Sequence, residues 1–465
     1  MKLPDSALAL VRLAIDAGDP YSAAAVYELA KGEDKDKLES LMFGLRRHKL
    51  LLARWEHTPG SVLDALANSG DKAVVVRLDK NPNTPTQALS RLFADKPDSK
   101  AGASLKVLIA QHPHVSTTLL KDVVTFENDL ECLKAVSKNP AADAEVLSVL
   151  LSRMSSGQQI GIFNKNIAEN PSTSADLLTL IFTKGDAYTR AAVIKHLNCP
   201  QALLNQAVDD DNVFIKRALA SDERLPKEVL LKLATHQDKP VRSTVAANPA
   251  TPRAIIKLLI QDNSYAVRRS IASRADLTMA SIQQLVDDRD DWVRQRLARN
   301  PKVPSKVLEQ LSTDHQVEVR RGVARNIRCP VSLLKELAKD ENYWVRSAVA
   351  YQHKSPKELM VKLADDTEID VQSGVANNPK TPQRLLKMLA TSTNADVRRG
   401  VILNRNATRT TLLPLLEDPY YLHRILLAFS SKLNNKDKWT LCLDTDFQVR
   451  FSAFRYFTKC FKNES

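Results

Sequence analysis

A proline, or a threonine in its place, recurs every 26 residues from Pro200 onward. The series is Pro200, Pro226, Pro252, Thr278, Pro304, Pro330, Pro356, Pro382 and Thr408. A second series runs in the same register and is basic at nearly every step: Arg190, Lys216, Arg242, Arg268, Arg294, Arg320, Arg346, Gln372, Arg398, Arg424 and Arg450. Two registers locked together over this length of chain indicate a repeat protein, in which each unit buries its apolar face against its neighbours.

The unit at residues 248–275 encodes two short helices. Asn248 stands where the preceding helix ends, and asparagine tolerates the left-handed conformation common at that point. Thr251 has the chemistry of an N-cap, and the proline after it suits the first helical position. We therefore predict a first helix, helix A, from there to about Asp262, and a second helix, helix B, from about Tyr265.

Less regular copies of the unit extend back to Pro59, which gives about fourteen units between Pro59 and Thr408. The predicted fold is all-α, a right-handed α-solenoid of short two-helix repeats with helical caps. Four segments are expected: a three-helix N-terminal cap at 1–50, irregular repeats at 51–199, regular 26-residue repeats at 200–433 and a C-terminal cap at 434–465.

Residues 378–386, NPKTPQRLL, and the spacing of Asp340, Val345-Arg346 and Val349-Ala350 resemble the variant leucine-rich repeat, a bacterial HEAT-like α-solenoid module. The resemblance covers roughly residues 55–430 and implies the fold, but no particular function. One described member of the family carries a cysteine-rich iron–sulfur segment at its N-terminus. That feature does not transfer, because this chain has no cysteine before Cys132.

Other sequence features argue against catalysis, metals and membranes. The five cysteines are scattered and form no CxxC pair, which disfavours a disulfide framework or a metal site and fits the reducing cytoplasm. No apolar run approaches the about 18 residues of a membrane span. With only 12 glycines there is no glycine-rich phosphate loop, and no HExxH motif occurs. We predict no catalytic residues, no cofactor, no metal and no small-molecule substrate.

The net charge of +13 lies almost entirely in residues 201–465, which hold 43 Lys and Arg against 31 Asp and Glu. Positions in helix B are counted here from its core residue, such as Val267. The regular basic column is position +1, about 100° from the core residue on a helix. A carboxylate stands six residues before most of its members, and the resemblance implies Asp/Arg pairing. We interpret this column as an inter-repeat ladder that comprises Arg242, Arg268, Arg294, Arg320, Arg346, Asp262, Asp288, Asp314 and Asp340.

Positions +2 and +6 are predicted to point away from the core. They hold six arginines and no acid over eight units, and two tryptophans stand nearby at position −1. Guanidinium groups contact phosphates and aromatic rings stack on bases, so this pattern is typical of a nucleic-acid surface. The candidate binding residues are Arg217, Arg269, Trp292, Arg299, Arg321, Arg325, Trp344 and Arg399. A solvated basic helix face, with the tryptophans packed over inter-repeat crevices, is the alternative explanation.

These observations favour a non-catalytic scaffold that binds nucleic acid, with DNA expected first. The second hypothesis is an adaptor for an acidic protein surface, because arginine and tryptophan are also frequent in protein interfaces. The third is a DNA glycosylase for alkylated bases, an activity found in the wider HEAT-like group. It would use Asp290 or Asp291 beside Trp292.

Overall fold

The computed structural model describes residues 6–78, 80–94, 100–154 and 160–464. All regular secondary structure in these ranges is helical, and none of their helices has both the length and the apolar character needed to cross a membrane. By internal packing the chain forms two compact units. The first runs to Leu203 and adds the segment from Ala428 onward; the second is Leu204–Leu427.

Most helices are seven to twelve residues long. The chain as far as residue 195 contributes α1 Ala7–Asp16, α2 Pro20–Val26, α3 Gly32–Phe43, α4 Arg46–Arg54, α5 Gly60–Ala67, α6 Lys72–Leu78, α7 Thr86–Ala94, α8 Lys100–Gln111, α9 Thr117–Phe126, α10 Leu130–Lys138, α11 Ala144–Met154, α12 Ile160–Glu169, α13 Ala175–Lys184 and α14 Ala187–Lys195. The next part contributes α15 Gln201–Ala207, α16 Val213–Ala220, α17 Lys227–Ala234, α18 Lys239–Ala247, α19 Arg253–Leu259, α20 Tyr265–Ala272, α21 Met279–Val286, α22 Asp291–Arg299, α23 Ser305–Leu311, α24 Val317–Arg325, α25 Val331–Leu337, α26 Tyr343–Tyr351, α27 Lys357–Ala364, α28 Ile369–Asn377, α29 Gln383–Leu389, α30 Ala395–Leu403, α31 Arg409–Leu412 and α32 Tyr421–Ala428. The last are α33 Asn435–Trp439 and α34 Phe447–Glu464, and 3₁₀ turns form at Tyr27–Leu29, Leu413–Glu417 and Thr440–Leu443.

In the second unit, helices B are the even-numbered helices from α16 to α30, and each packs against the helix B of the next repeat. Their core residues, such as Val267 and Val293, are fully buried. Small residues at position +3 allow the close approach. A Cβ placed on Gly374 would lie 2.7 Å from the Cβ of Ala350 in the preceding repeat. Stacking therefore completes the core that a single short helix pair could not form alone.

The repeat asparagines act between repeats and not as left-handed helix ends. Asn248 has φ −64° and ψ 122°, and no described residue other than glycine has a positive φ. Its Nδ2 donates to the carbonyls of Ala220 and Asp222 in the preceding repeat, at 3.0 and 2.9 Å. The prediction of a left-handed C′ was therefore wrong, because the amide is used to satisfy the last carbonyls of a neighbouring helix.

Thr251 also differs from its predicted role. Helix α19 begins at Arg253, with Pro252 as its N-cap residue. The Thr251 hydroxyl donates to the carbonyl of Val245, 2.6 Å away, in the preceding helix. It therefore closes the end of helix B and does not cap the next helix A.

In the first unit, the two terminal segments of the chain pack against each other. Residues 7–54 form four α-helices, and the fourth extends past residue 50, where a three-helix cap was expected to end. The Ala-rich helix α2 packs against α34, and Thr458 donates to the carbonyl of Ala25 at 3.0 Å. The Phe447 ring stacks on Tyr21 with centroids 4.2 Å apart, and Arg450 pairs with Asp19 at 2.8 Å. Each terminal segment thus covers apolar surface of the other.

Candidate functional site

The position +1 arginines join consecutive repeats. Arg268 donates from Nε and Nη2 to both carboxylate oxygens of Asp288, at 2.7 and 2.9 Å, and from Nη1 to the carbonyl of Asp262 at 2.7 Å. The ionic partner is therefore the aspartate 20 residues later, and the aspartate six residues earlier contributes its main chain. The same bidentate rung recurs in Arg242–Asp262, Arg268–Asp288, Arg294–Asp314, Arg320–Asp340, Arg346–Asp366 and Arg398–Asp418.

These rungs are largely buried, and they perturb both partners. Hydrogen bonding to Asp288 raises the pKa of Arg268 above its ordinary value. Burial alone raises the pKa of the Asp418 carboxyl, but hydrogen bonds from Arg398, the Tyr420 amide and His423 outweigh it and bring the pKa to about 2. Each guanidinium is fully engaged inside the protein, so the ladder arginines are not available to a partner.

Two repeats of the second unit lack a rung. Lys216 donates instead to the carbonyl of Val208 at 2.6 Å, and burial lowers the pKa of its ammonium group. Gln372 donates to the carbonyl of Asp366 at 2.8 Å. Gln372 keeps the main-chain contact six residues earlier that the ladder arginines make, whereas Lys216 reaches a carbonyl eight residues earlier; neither makes the ion pair with the next repeat.

In the repeats from Arg217 to Ser373, position +2 lies at the seam between stacked helices B and does not point away from the core, whereas Arg399 is exposed. The side chains at this seam meet the residue at position −1 of the next repeat, 23 residues later. Ser243 Oγ donates to the carbonyl of Ala266 at 3.4 Å, and Gln295 Nε2 donates to Glu318 Oε2 at 3.1 Å. Gln295 is only 9% exposed. The angular prediction failed because it treated helix B in isolation, whereas the neighbouring repeat covers this side.

The 23-residue contact pairs two candidate arginines with the two candidate tryptophans. The Arg269 guanidinium carbon lies 5.2 Å from the Trp292 ring centroid, and that of Arg321 lies 5.3 Å from the Trp344 centroid. These are cation–π distances. Trp292 and Trp344 nevertheless remain 50% and 43% exposed. The spacing of 23 in the sequence was the signal that could have revealed these pairs.

Arg217 differs from the other candidates because it has a full ionic partner. Its Nε and Nη2 donate to the two carboxylate oxygens of Asp238 at 2.9 and 2.7 Å. The hydrogen bond from Arg217 holds the pKa of Asp238 below its ordinary value. An aspartate at the start of the next helix B therefore neutralises this arginine.

Two candidate arginines from neighbouring repeats contact one carboxylate, and a third arginine lies near them. Arg321 Nη1 lies 3.3 Å from Glu318 Oε1, and Arg299 Nη2 lies 3.7 Å from Glu318 Oε2. Partial burial, followed by the neighbouring charges of Arg321 and Arg299, lowers the pKa of Arg325. We call Arg299, Arg321 and Arg325 the arginine cluster.

The arginine cluster has unused hydrogen-bonding capacity. The Nε of Arg321 is buried without a hydrogen-bond partner. Within the described ranges, no carboxylate lies at ion-pair distance from Arg325 or from the exposed Arg399, which lies in α30. Three cations facing one carboxylate leave an excess of two positive charges on a half-exposed surface, and an anion would complement it.

One of the two aspartates considered for base excision has a structural use. Asp290 is the N-cap residue of α22, and its carboxylate accepts a hydrogen bond from the Trp292 amide at 3.1 Å. No group of three or more potential metal ligands occurs in the part of the chain that the structure describes.

The repeats define the class of protein: a helical-repeat protein built from stacked two-helix units. No protein-family model matches the sequence, and no curated protein matches it. One similar solved structure is a leucine-rich repeat variant with a repetitive structural motif. It is 27% identical, with a TM-score of 0.35, over 48% of this chain and 86% of that chain. The similarity is one of fold.

Two longer helical proteins also match. A structure of the Pds5–Scc1 complex is 11% identical with a TM-score of 0.24, over 99% of this chain and 72% of that one. The UNC-45 chaperone, described as binding and folding muscle myosin, is 12% identical with a TM-score of 0.16. This chain spans 51% of the UNC-45 chain.

Proposed function

We propose that the second unit is a binding scaffold whose arginine cluster, with the neighbouring tryptophans, binds nucleic acid, DNA being the expected form. The observation that carries the proposal is the excess positive charge of the arginine cluster: Glu318 pairs with Arg299 and Arg321, and no described carboxylate lies at ion-pair distance from Arg325. A phosphate group would accept from the guanidinium groups that Glu318 leaves incompletely paired.

The tryptophans supply the second requirement of the proposal. Trp292 and Trp344 are held in place by Arg269 and Arg321, and about half of each side chain stays exposed. An ordered, half-exposed indole offers a stacking surface for an unpaired base. This arrangement favours single-stranded over double-stranded DNA, because bases inside a duplex are already stacked.

The test is fluorescence polarisation with a labelled single strand and the matching duplex over a salt series. For Arg299→Gln/Arg321→Gln/Arg325→Gln we expect affinity to fall at least about tenfold and the salt slope to decrease by about 2. The matched control, Arg253→Gln/Arg328→Gln/Arg384→Gln, removes the same charge from exposed arginines elsewhere in the unit. Equal losses in both variants, or none in the first, would refute the assignment of this surface.

An acidic protein segment is the second candidate. Tyr351 is 46% exposed and lies near Arg325, where its ring adds an aromatic surface. Tyrosine, tryptophan and arginine together are the residues most enriched in protein hot spots. Binding of a labelled acidic peptide, and no response to DNA, would favour this candidate.

A further inference from the structure

The arginine–aspartate ladder does not continue through the whole of the first unit, and one of its missing rungs has other polar residues at both positions. In the regular repeats the arginine precedes the repeat asparagine by six residues, as Arg242 precedes Asn248. Six residues before Asn170 stands Asn164, on α12. Twenty residues after Asn164, where the carboxylate belongs, stands Lys184 at the end of α13. An amide and an ammonium group thus replace a guanidinium and a carboxylate.

The replacement coincides with a cavity. A space of about 180 Å³ lies among α11, α12 and α13, and both Asn164 and Lys184 line it. Its remaining walls are largely apolar and include Leu151, Leu177 and Ile181. Its volume is slightly above the roughly 150 Å³ of an engineered cavity that binds benzene. A ligand of similar size would fill it.

The Asn164 side chain is unsatisfied. Asn164 is 2% exposed, and its Oδ1 has no hydrogen-bond partner. Buried polar groups are normally paired, and an amide can present either its oxygen or its nitrogen to a ligand. The floor of the cavity therefore holds a hydrogen-bonding group that the described protein leaves unused.

Lys184 decides the charge of the ligand. It is exposed and is the one ionisable residue among the side chains that line the cavity. We propose that this cavity binds a small carboxylate with a short apolar chain. The carboxylate pairs with the Lys184 ammonium and accepts a hydrogen bond from Asn164 Nδ2, with the amide turned so that Nδ2 takes the place of the unpaired Oδ1. The chain packs against Leu177 and Ile181. The ligand thus takes the place of the missing rung.

The experiment uses the full chain, with hexanoate as the probe and hexan-1-ol as its neutral counterpart, in isothermal titration calorimetry. We expect saturable hexanoate binding that is at least about threefold weaker in Lys184→Gln, as for loss of a partly exposed ion pair. Hexan-1-ol should bind more weakly than hexanoate and should not respond to Lys184→Gln.

A second variant restores the rung. Asn164→Arg/Lys184→Asp should fill the cavity with an internal ion pair, abolish hexanoate binding and raise the melting temperature. If this variant does not fold, Leu180→Trp provides the same block, because Leu180 lines the cavity and is 45% exposed. Circular dichroism verifies folding in each case.

Three outcomes would overturn the proposal: no saturable hexanoate binding, equal binding of hexanoate and hexan-1-ol, or hexanoate binding that persists in the folded rung-restoring or Leu180→Trp variant. The result is independent of nucleic-acid binding, since all altered residues lie in the first unit.

Discussion

Arg321 lies over the indole of Trp344, with its guanidinium carbon 5.3 Å from the ring centroid, and donates to Glu318 on its own helix. One side chain thereby links two repeats and contributes to the arginine cluster. Arg269 and Trp292 repeat the ring contact 52 residues earlier, but without a corresponding glutamate pair among the described contacts. The Arg321–Trp344 pair is therefore the more informative target for mutations that test nucleic-acid binding by this surface.

The exposed tryptophans should contribute to nucleic-acid affinity by stacking. For Trp344→Leu we expect an about tenfold loss of single-strand affinity, within the range for one base–aromatic stack. Stability should change by only about 1 kcal/mol, because one exposed cation–π contact is lost. Polarisation and thermal melting measure the two effects.

Tyr343→Leu is the matched control, since it removes the aromatic neighbour of Trp344 on the same helix. If Trp344→Leu and Tyr343→Leu have the same effect on affinity, stacking on Trp344 is not the cause.

Removing one side of a ladder rung should be costly. Arg294→Met leaves the buried Asp314 carboxylate without its partner, and we expect a loss of about 3–5 kcal/mol in unfolding free energy. Arg294→Met/Asp314→Leu should recover most of that loss, because no unpaired charge remains. Urea unfolding followed by circular dichroism distinguishes the two variants. A double variant as unstable as the single one would contradict this account of the rung.

Acid should weaken the Arg398–Asp418 rung within a defined window. The folded-state pKa of Asp418 is lowered to about 2, so the rung's contribution is complete above the ordinary carboxyl value. It is lost as pH falls from about 4 towards 2. Nuclear magnetic resonance titration of the Asp418 carboxyl measures this directly.

The Arg398→Met variant removes the main interaction that lowers the pKa of the Asp418 carboxyl. Burial raises the pKa of this carboxyl and Arg398 is its main opposing partner, so the pKa should rise in the variant. An unchanged titration would show that Arg398 does not control Asp418. Arg346→Met, two repeats away, is the control that should leave Asp418 unaffected.

The repeat asparagines should resist replacement by alanine more than by glutamine. Asn326 donates to the carbonyls of Ala298 and Asn300 at 2.7 and 2.9 Å. Asn326→Ala leaves these two buried carbonyls without a hydrogen-bond donor, which should lower the unfolding free energy by about 2–4 kcal/mol. Gln352 occupies the equivalent position and reaches its two carbonyls at 3.1 Å, so Asn326→Gln should cost less. Equal losses in thermal melts would show that the two hydrogen bonds contribute little.

Much of the architecture follows from the period of the sequence. The 26-residue spacing locates the helix pairs closely: helix B of the unit at 248–275 begins at Tyr265, where it was predicted. Helix A was predicted to reach Asp262 but ends at Leu259. The hydrogen bond from Thr251 lay outside the prediction because local helix-capping rules do not include contacts made back to the preceding helix.

The sequence by itself determined the repeat, its register and the residue types available on each face of helix B, because these depend on spacing along one chain. Tertiary structure decided which of those side chains remain available to a binding partner. Arg217 forms an ion pair with Asp238, and Arg299 and Arg321 both form ion pairs with Glu318. The neighbouring repeat partly buries most side chains at position +2. The Arg217–Asp238 and Arg299–Glu318 contacts join residues about 20 positions apart in sequence, whereas Arg321 and Glu318 lie on the same helix. The stacking of neighbouring repeats determines the two long-range pairs, and the angle of a residue on an isolated helix does not predict them.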